Sequence, residues 1–155
     1  MWHFTQWKHR VKLTLNNADT GGALTGHRTL VRLTVARVTY SDFQSEGEDI
    51  RFVSSGGVAL PHHIAVWNTS GTSFIWVRIS AIANDNNTYI YMYYGCANAP
   101  DGQDIGAVWS GYIGVWLFNE ERYVFRDYSH YASDQWGDFG SPVQLGYQVS
   151  VEVMG

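Results

Sequence analysis

An all-β fold is what this sequence predicts: an antiparallel β-sandwich or jelly roll with a C-terminal strand extension. Three observations predict it. About eight short apolar–polar alternations recur, with turn signals roughly every 8 to 12 residues. Almost every run carries an aromatic, from a pool of ten Tyr, seven Trp and seven Phe in 155 residues, and such side chains favour a pleated, half-buried surface. No segment sustains a helical period.

The elements follow in order. Residues 7 to 15 alternate, with Val11, Leu13 and Leu15 on one face and Arg10, Lys12 and Thr14 on the other, as in a half-buried antiparallel strand. Asn16 to Gly22 read as a turn-rich loop. Residues 28 to 35 repeat the alternation, with Val31, Leu33 and Val35 expected inward. Residues 41 to 48 are polar and acidic and read as a loop. Ile50 to Val53 form a short strand, and Gly56-Gly57 mark a hairpin turn. Pro61 cannot donate to a ladder, so it belongs at a strand start or sheet edge. His62 to Trp67 put Ile64 and Val66 on one face. Phe74 to Ile79 are nearly continuously apolar, as in a central strand buried on both sides. After a turn at Asn84–Asn87, residues 88 to 94 place Tyr89, Tyr91 and Tyr93 on one face and Ile90, Met92 and Tyr94 on the other. Residues 96 to 112 are loop-like and rich in Gly, Asp and Ala.

The last segment is unusually regular. Val143, Leu145, Tyr147, Val149, Val151 and Val153 share one face, and Gln144, Gly146, Gln148, Ser150 and Glu152 the other. As a strand it would run roughly 35 Å, longer than most. An exposed edge of that kind invites pairing. It either closes the sandwich of its own chain or adds to a neighbour's sheet, and it is the candidate assembly strand.

Composition narrows the function. Charged residues make up 15% of the chain, against about a quarter in ordinary domains. Surfaces facing carbohydrate, and subunits buried in an assembly, have this character. The net charge is -4, with no Lys/Arg cluster. The densest basic stretch, Lys8 to Lys12, alternates like the wet face of a strand, so nucleic acid is not an expected partner. The single cysteine, Cys96, permits neither an intrachain disulfide nor a thiolate metal site. No apolar run approaches the ~20 residues that span a bilayer, so membrane insertion is not expected. The N-terminal MWHFTQWKHRVK lacks the features of a signal peptide.

Catalytic motifs are missing: no Gly-x-Ser-x-Gly elbow, Walker loop or His-Glu-x-x-His helix occurs. His62 and His63 fall on opposite faces of a strand and cannot chelate one ion together; one of them is expected to face solvent. A glycosidase needs two carboxyls about 5 to 10 Å apart, and Glu46, Glu48, Asp49, Asp101 and Asp104 offer pairs. Yet Asp49 stands at i and Arg51 at i+2 on one strand face, which suits an Asp–Arg pair or an Asp capping a turn. Asn84-Asp85-Asn86-Asn87 is oxygen-rich but holds one carboxylate, and such a turn needs no ion. The expectation is a non-enzyme with no metal and no cofactor. For a glycan, or equally for a protein interface, the candidates are Tyr128, Tyr131, Gln135, Trp136 and Asp138, because sugars stack on aromatic faces and need convergent polar groups. Trp67 and Trp76 sit in strand contexts that suggest core.

Asp49-Ile50-Arg51-Phe52, Leu60-Pro61, Trp67-Asn68, Trp76-Val77 and Tyr91-Met92-Tyr93-Tyr94-Gly95 follow a pattern in order and spacing. Over residues 7 to 98 the chain resembles the family called domain of unknown function 2341. That resemblance implies a β-sandwich over residues 1–98, with Asp49, Arg51, Phe52, Trp67, Trp76, Tyr93, Tyr94 and Gly95 as motif residues of structural role. It also implies an extracellular or virion-surface setting, often just ahead of a lectin-like sandwich. Gly114-Val115-Trp116-Leu117-Phe118-Asn119-Glu120 and Asp127-Tyr128-Ser129 resemble the opening of such a concanavalin A-like domain. Leu117 stands where that pattern has His, and Tyr128 where it has the first Ser. Residues 99–155 are too few for a complete lectin and are expected to pack as a remnant on the same or a neighbouring sandwich.

The resulting expectation is a surface subunit for assembly or adhesion, most simply a virion tail-fibre, spike or capsid-decoration protein. Its partners would be copies of itself or neighbouring virion proteins. The alternative is a secreted carbohydrate-binding module of a bacterial adhesin, with glycans as ligand.

Overall fold

The computed structural model describes residues 4–18, 21–117, 124–125, 127–129 and 135–136. The order is β1 (His9–Thr14), β2 (Leu24–Thr34), a 3-10 turn (Tyr40–Asp42), β3 (Arg51–Ser54), β4 (Ala59–Leu60), β5 (His62–Val66), β6 (Thr72–Ile82), β7 (Tyr89–Tyr94), α1 (Ile105–Val108), β8 (Val124–Phe125) and β9 (Gln135–Trp136). Two antiparallel sheets face each other, a four-stranded one in the order β1-β7-β3-β4 and a three-stranded one in the order β2-β6-β5, with β8 and β9 paired separately.

Alternation in the sequence builds both sheets. In the register of β1 on β7, Val11 lies opposite Met92 and Leu13 opposite Ile90. Every second residue therefore enters one core of Phe52, Ile75, Val77, Ile90 and Met92, each 1% exposed or less, together with Val31, Leu33, Ile79 and Tyr94. β6 is the central strand of its sheet. Its inner residues Ile75, Val77 and Ile79 are buried, while Phe74, Trp76 and Arg78 on its outer face are half-buried. Ile82 returns to the core three residues after Ile79. The strand changes face across the exposed Ser80-Ala81, beside the point where Gly26 of β2 takes φ +59°.

Pro61 lies between β4 and β5, where the chain leaves the edge of one sheet for the edge of the other. Its carbonyl accepts from the Arg78 amide at 3.1 Å. β3 and β4 are the two arms of an antiparallel hairpin, and Gly57 in its turn adopts φ +87°. Val35 departs from expectation. β2 ends at Thr34, whose carbonyl accepts from both Arg37 and Val38 amides, and this tight turn throws Val35 outward to 60% exposure.

Gly95 ends β7 at φ +87°, and a Cβ there would stand 2.7 Å from His9 Cδ2. Gly95→Ala is expected to cost about 1–2 kcal/mol in left-handed backbone strain, read as a lower urea midpoint. An unchanged midpoint would mean that the turn refolds around the new methyl.

Candidate functional site

Asp49, Arg51, Trp67, Tyr93, Tyr94 and Gly95 gather near the end of β7, whereas Phe52 lies in the core and Trp76, expected in the core, is half-buried against Trp109 on the outer face of β6. Asp49 is 1% exposed. Its Oδ1 accepts from the Gln44 amide at 3.0 Å, and its Oδ2 from the Gly95 amide at 2.6 Å and the Cys96 amide at 2.9 Å. Arg51 donates to the carbonyls of Glu48 (2.9 Å), Ile50 (2.7 Å) and Pro100 (2.6 Å). Of the two arrangements open to Asp49 and Arg51, the carboxylate caps backbone turns, and each partner spends its hydrogen bonds on main chain. Gln44 completes the clamp, its side-chain amide donating to the Cys96 and Ala99 carbonyls. Above it Phe43 stacks on Tyr94 with ring centroids 4.1 Å apart and packs edge-on to Trp67. Trp67 packs against the core, and its Nε1 donates to the Ser45 carbonyl.

His62 and His63 do point to opposite faces, since they pair with Val77 and Trp76 of β6 respectively. The expectation that one would face solvent is wrong: they are 1% and 3% exposed. His62 enters the core edge-on to Phe52, with its Nε2 buried and unpartnered. His63 lies on the outer face, which residues 105–117 cover. Its Nδ1 accepts from Trp109 Nε1 at 3.0 Å, which places the imidazole proton on Nε2. Desolvation pushes both pKa values down to about 4; for His62 the nearby Arg51 adds to the effect and Asp101 opposes it.

The covering segment is fastened by named bonds. Asp104 caps α1, its carboxylate accepting from the Ala107 amide. Arg28 donates to the carbonyls of Val108 and Ser110, and Arg78 to the Ala107 carbonyl and Ser110 Oγ. Val108, Trp109 and Val115 form a second apolar cluster against Trp76, Leu117 and Tyr128. Residues 105 to 117 thus pack on the outer face of the same sandwich. Asp127 ties residues 127–129 to Val115, its Oδ1 accepting from the amides of Val115 (2.9 Å) and Ser129 (2.8 Å).

The glycan candidates separate. Tyr128 is half-buried, with its ring 4.6 Å from that of His63. Gln135 and Trp136 form β9. Tyr131 and Asp138 lie outside the described residues, as does the whole candidate assembly strand of Val143, Leu145, Tyr147, Val149, Val151 and Val153. Another aromatic array was not picked out from the sequence. On the outer face of the four-stranded sheet Tyr89, Tyr91 and Tyr93 form a ladder, with centroids 5.5 and 6.3 Å apart. Arg10 sits 4.5 Å over Tyr91 and Lys12 sits 4.1 Å over Tyr89. The signal was the opposed alternation of residues 10–12 and 89–93, but only the strand pairing brings the cations onto the rings.

At the opposite side of the sandwich from the Pro61 crossing, β1 and β2 are both edge strands among the described residues. Between them opens a groove of about 710 Å³, floored by Leu13, Leu15, Leu24, Val31 and Ile82. His27, Arg32 and Arg37 stand on its rim. Thr29 also lines it, and its buried Oγ1 has no hydrogen-bond partner. Among the described residues, no three His, Cys, Asp or Glu side chains converge to hold a metal. The Asn84–Asn87 turn satisfies itself, Asp85 accepting from the Asn87 amide. No helix of the described residues is long and apolar enough to cross a membrane.

A family model described as domain of unknown function (DUF2341) matches residues 46–138, more than half of the chain. No curated protein and no solved structure matches the chain.

Proposed function

From the premise that the chain belongs to the DUF2341 family, we propose that it is a non-enzymatic surface β-sandwich working by assembly or adhesion, as a structural subunit of a virion. The observation that carries this reading is the apolar groove between two edge strands. An apolar floor beside edge strands favours strand-to-strand docking over chemistry. The polar side chains that would suit a catalyst are spent elsewhere. Asp49 and Arg51 hold backbone, and His63 accepts from an indole. The low charged fraction fits a subunit whose surface is largely covered by neighbours. A tail-fibre, spike or decoration role is the setting that the family resemblance implies.

The test is the mass in solution, by size exclusion with light scattering. A trimer or larger body is the expected result. A monomer of 17.5 kDa across micromolar concentrations would sink self-assembly as the function.

The second reading is a secreted carbohydrate-binding module. The tyrosine–cation ladder of Tyr89, Tyr91, Arg10 and Lys12 favours it, since sugar C–H faces stack on rings and acidic sugars would meet the two cations. A monomer whose Trp fluorescence shifts on titration with an acidic oligosaccharide, and no longer shifts in Tyr91→Ala, would favour this module over assembly.

A further inference from the structure

Resting on the assembly reading, we propose that the groove between β1 and β2 seats residues 143–153 of a second copy of this chain, laid along the free edge of β2 as an added strand.

The acceptor is built for a strand. Among the described residues, the sheet of β2 holds three strands against four in the sheet it faces, and β2 is its outermost member on the groove side. Among the described residues, β6 is the one strand that pairs with residues 24–33; beside it, the Gly26 carbonyl accepts from the Arg28 guanidinium and the Leu33 carbonyl from the Tyr40 hydroxyl. The groove's lining comes from both faces of β2. Val31 and Thr29 look toward the core, and Leu30 and Arg32 lie on the other face. The groove therefore wraps the strand edge, as a site for an added strand must.

The occupant matches it in length, polarity and charge. β2 is 11 residues long, the length of the alternating run from Val143 to Val153, so a single pairing would cover the whole edge. One face of that run is all apolar and would lie over Leu13, Leu24, Val31 and Ile82. The rim carries Arg32 and Arg37, and no acidic residue lines the groove. The occupant itself carries one charged side chain, Glu152, and from residue 127 onward the chain has neither Lys nor Arg.

A second copy is the better source than the chain itself. Tyr128 is held against His63 of β5, at the far edge of the sheet from β2. The direct route from there to β2 crosses the outer face of the sheet. Residues 107–110 already occupy that face, pinned by Arg28 of β2 and Arg78 of β6. A neighbouring molecule meets no such obstruction. Most of the groove's lining also precedes residue 46, where the family match begins, so the feature is read from this chain's own residues.

Cysteine pairing tests the proposal in the full chain with Cys96→Ser as background. One preparation carries Arg32→Cys on the exposed face of β2. Others carry Gln144→Cys, Gln148→Cys or Ser150→Cys, which sample the register on the polar face of the donor. The Arg32 variant is mixed with each donor variant, exchanged and mildly oxidised. The expected result is a disulfide-linked species of about twice 17.5 kDa in at least one mixture. Val58→Cys, exposed on the β3–β4 hairpin at the other edge, should link at least tenfold less. Equal linkage through Val58 overturns the proposal. A chain carrying Arg32→Cys together with one donor cysteine is the further control: a link that forms only within such a chain and in none of the mixtures overturns the proposal and makes the occupant the chain's own tail. If no mixture links while light scattering still reports an oligomer, this inference fails and the assembly reading stands. A monomer with no link removes both.

Discussion

Asp49→Ala should lower folding stability by about 3–5 kcal/mol, more than any other single truncation of the motif. The carboxylate is 1% exposed and accepts from three backbone amides. Bonds to a charged acceptor contribute about 1.5–3 kcal/mol each, and a buried amide left unpaired costs about as much. The sum is not additive, because the loop can move toward water, so the figure stands below three full bonds. The bonded amides also lie far apart in sequence, Gln44 before β3 and Gly95 and Cys96 after β7. Losing the carboxylate therefore unfastens the loop that holds Phe43 on Tyr94. Asp49→Asn keeps one side-chain oxygen and should lose about half as much. Urea unfolding of the three proteins, compared at equal m-value, is the measurement. A loss below about 1 kcal/mol in Asp49→Ala would mean that water satisfies the amides and that the clamp is dispensable.

The strands were legible where one residue in two is apolar. β1 and β7 show it best, because Val11, Leu13, Ile90 and Met92 need only the pleat to find the core. The central place of β6 was legible from its apolar run. Val35 misled because alternation says nothing about where a strand stops, and the Thr34 carbonyl bonds that stop it come from Arg37 and Val38. The histidines misled for a different reason. A strand reading gives each face of β5 but not what lies on it, and the cover over His63 comes from Trp109 and Tyr128, both more than 40 residues away. Distance also hid two of the three ligands of Asp49, Gly95 and Cys96, while Gln44 is only five residues away. The local pattern left a pair with Arg51 and a turn cap equally open, and the tertiary fold selects the cap. The groove was invisible for a third reason. It is defined by which strands are edges, and strand order is not written in local pattern. Half of the question it raises had been posed, since the run from Val143 to Val153 was recognisable as a strand in need of an edge.

Acidification should weaken the fold well above the pH at which its carboxylates titrate. His62 and His63 ionise near 4 in the folded protein and near 6.5 when unfolded. Between those values the unfolded chain takes up protons that the folded chain refuses. The stability that these residues support is complete above about pH 6.5 and is lost as the pH falls toward 4. For His62, deep in the core, a shift of that size corresponds to about 3 kcal/mol at most. His62→Gln cannot titrate and should flatten the slope between pH 6.5 and 5, a window in which carboxylates contribute little. His63 adds a local readout. Protonating its Nδ1 removes the acceptor of the Trp109 indole N–H, so residues 105–117 should loosen from β5 before the sandwich unfolds. Trp emission should then redshift at a pH where far-ultraviolet dichroism is unchanged, and Trp109→Phe should abolish most of that early shift. Coincident transitions by both probes, with the same slope in His62→Gln as in the parent, would mean that neither imidazole governs the acid limb.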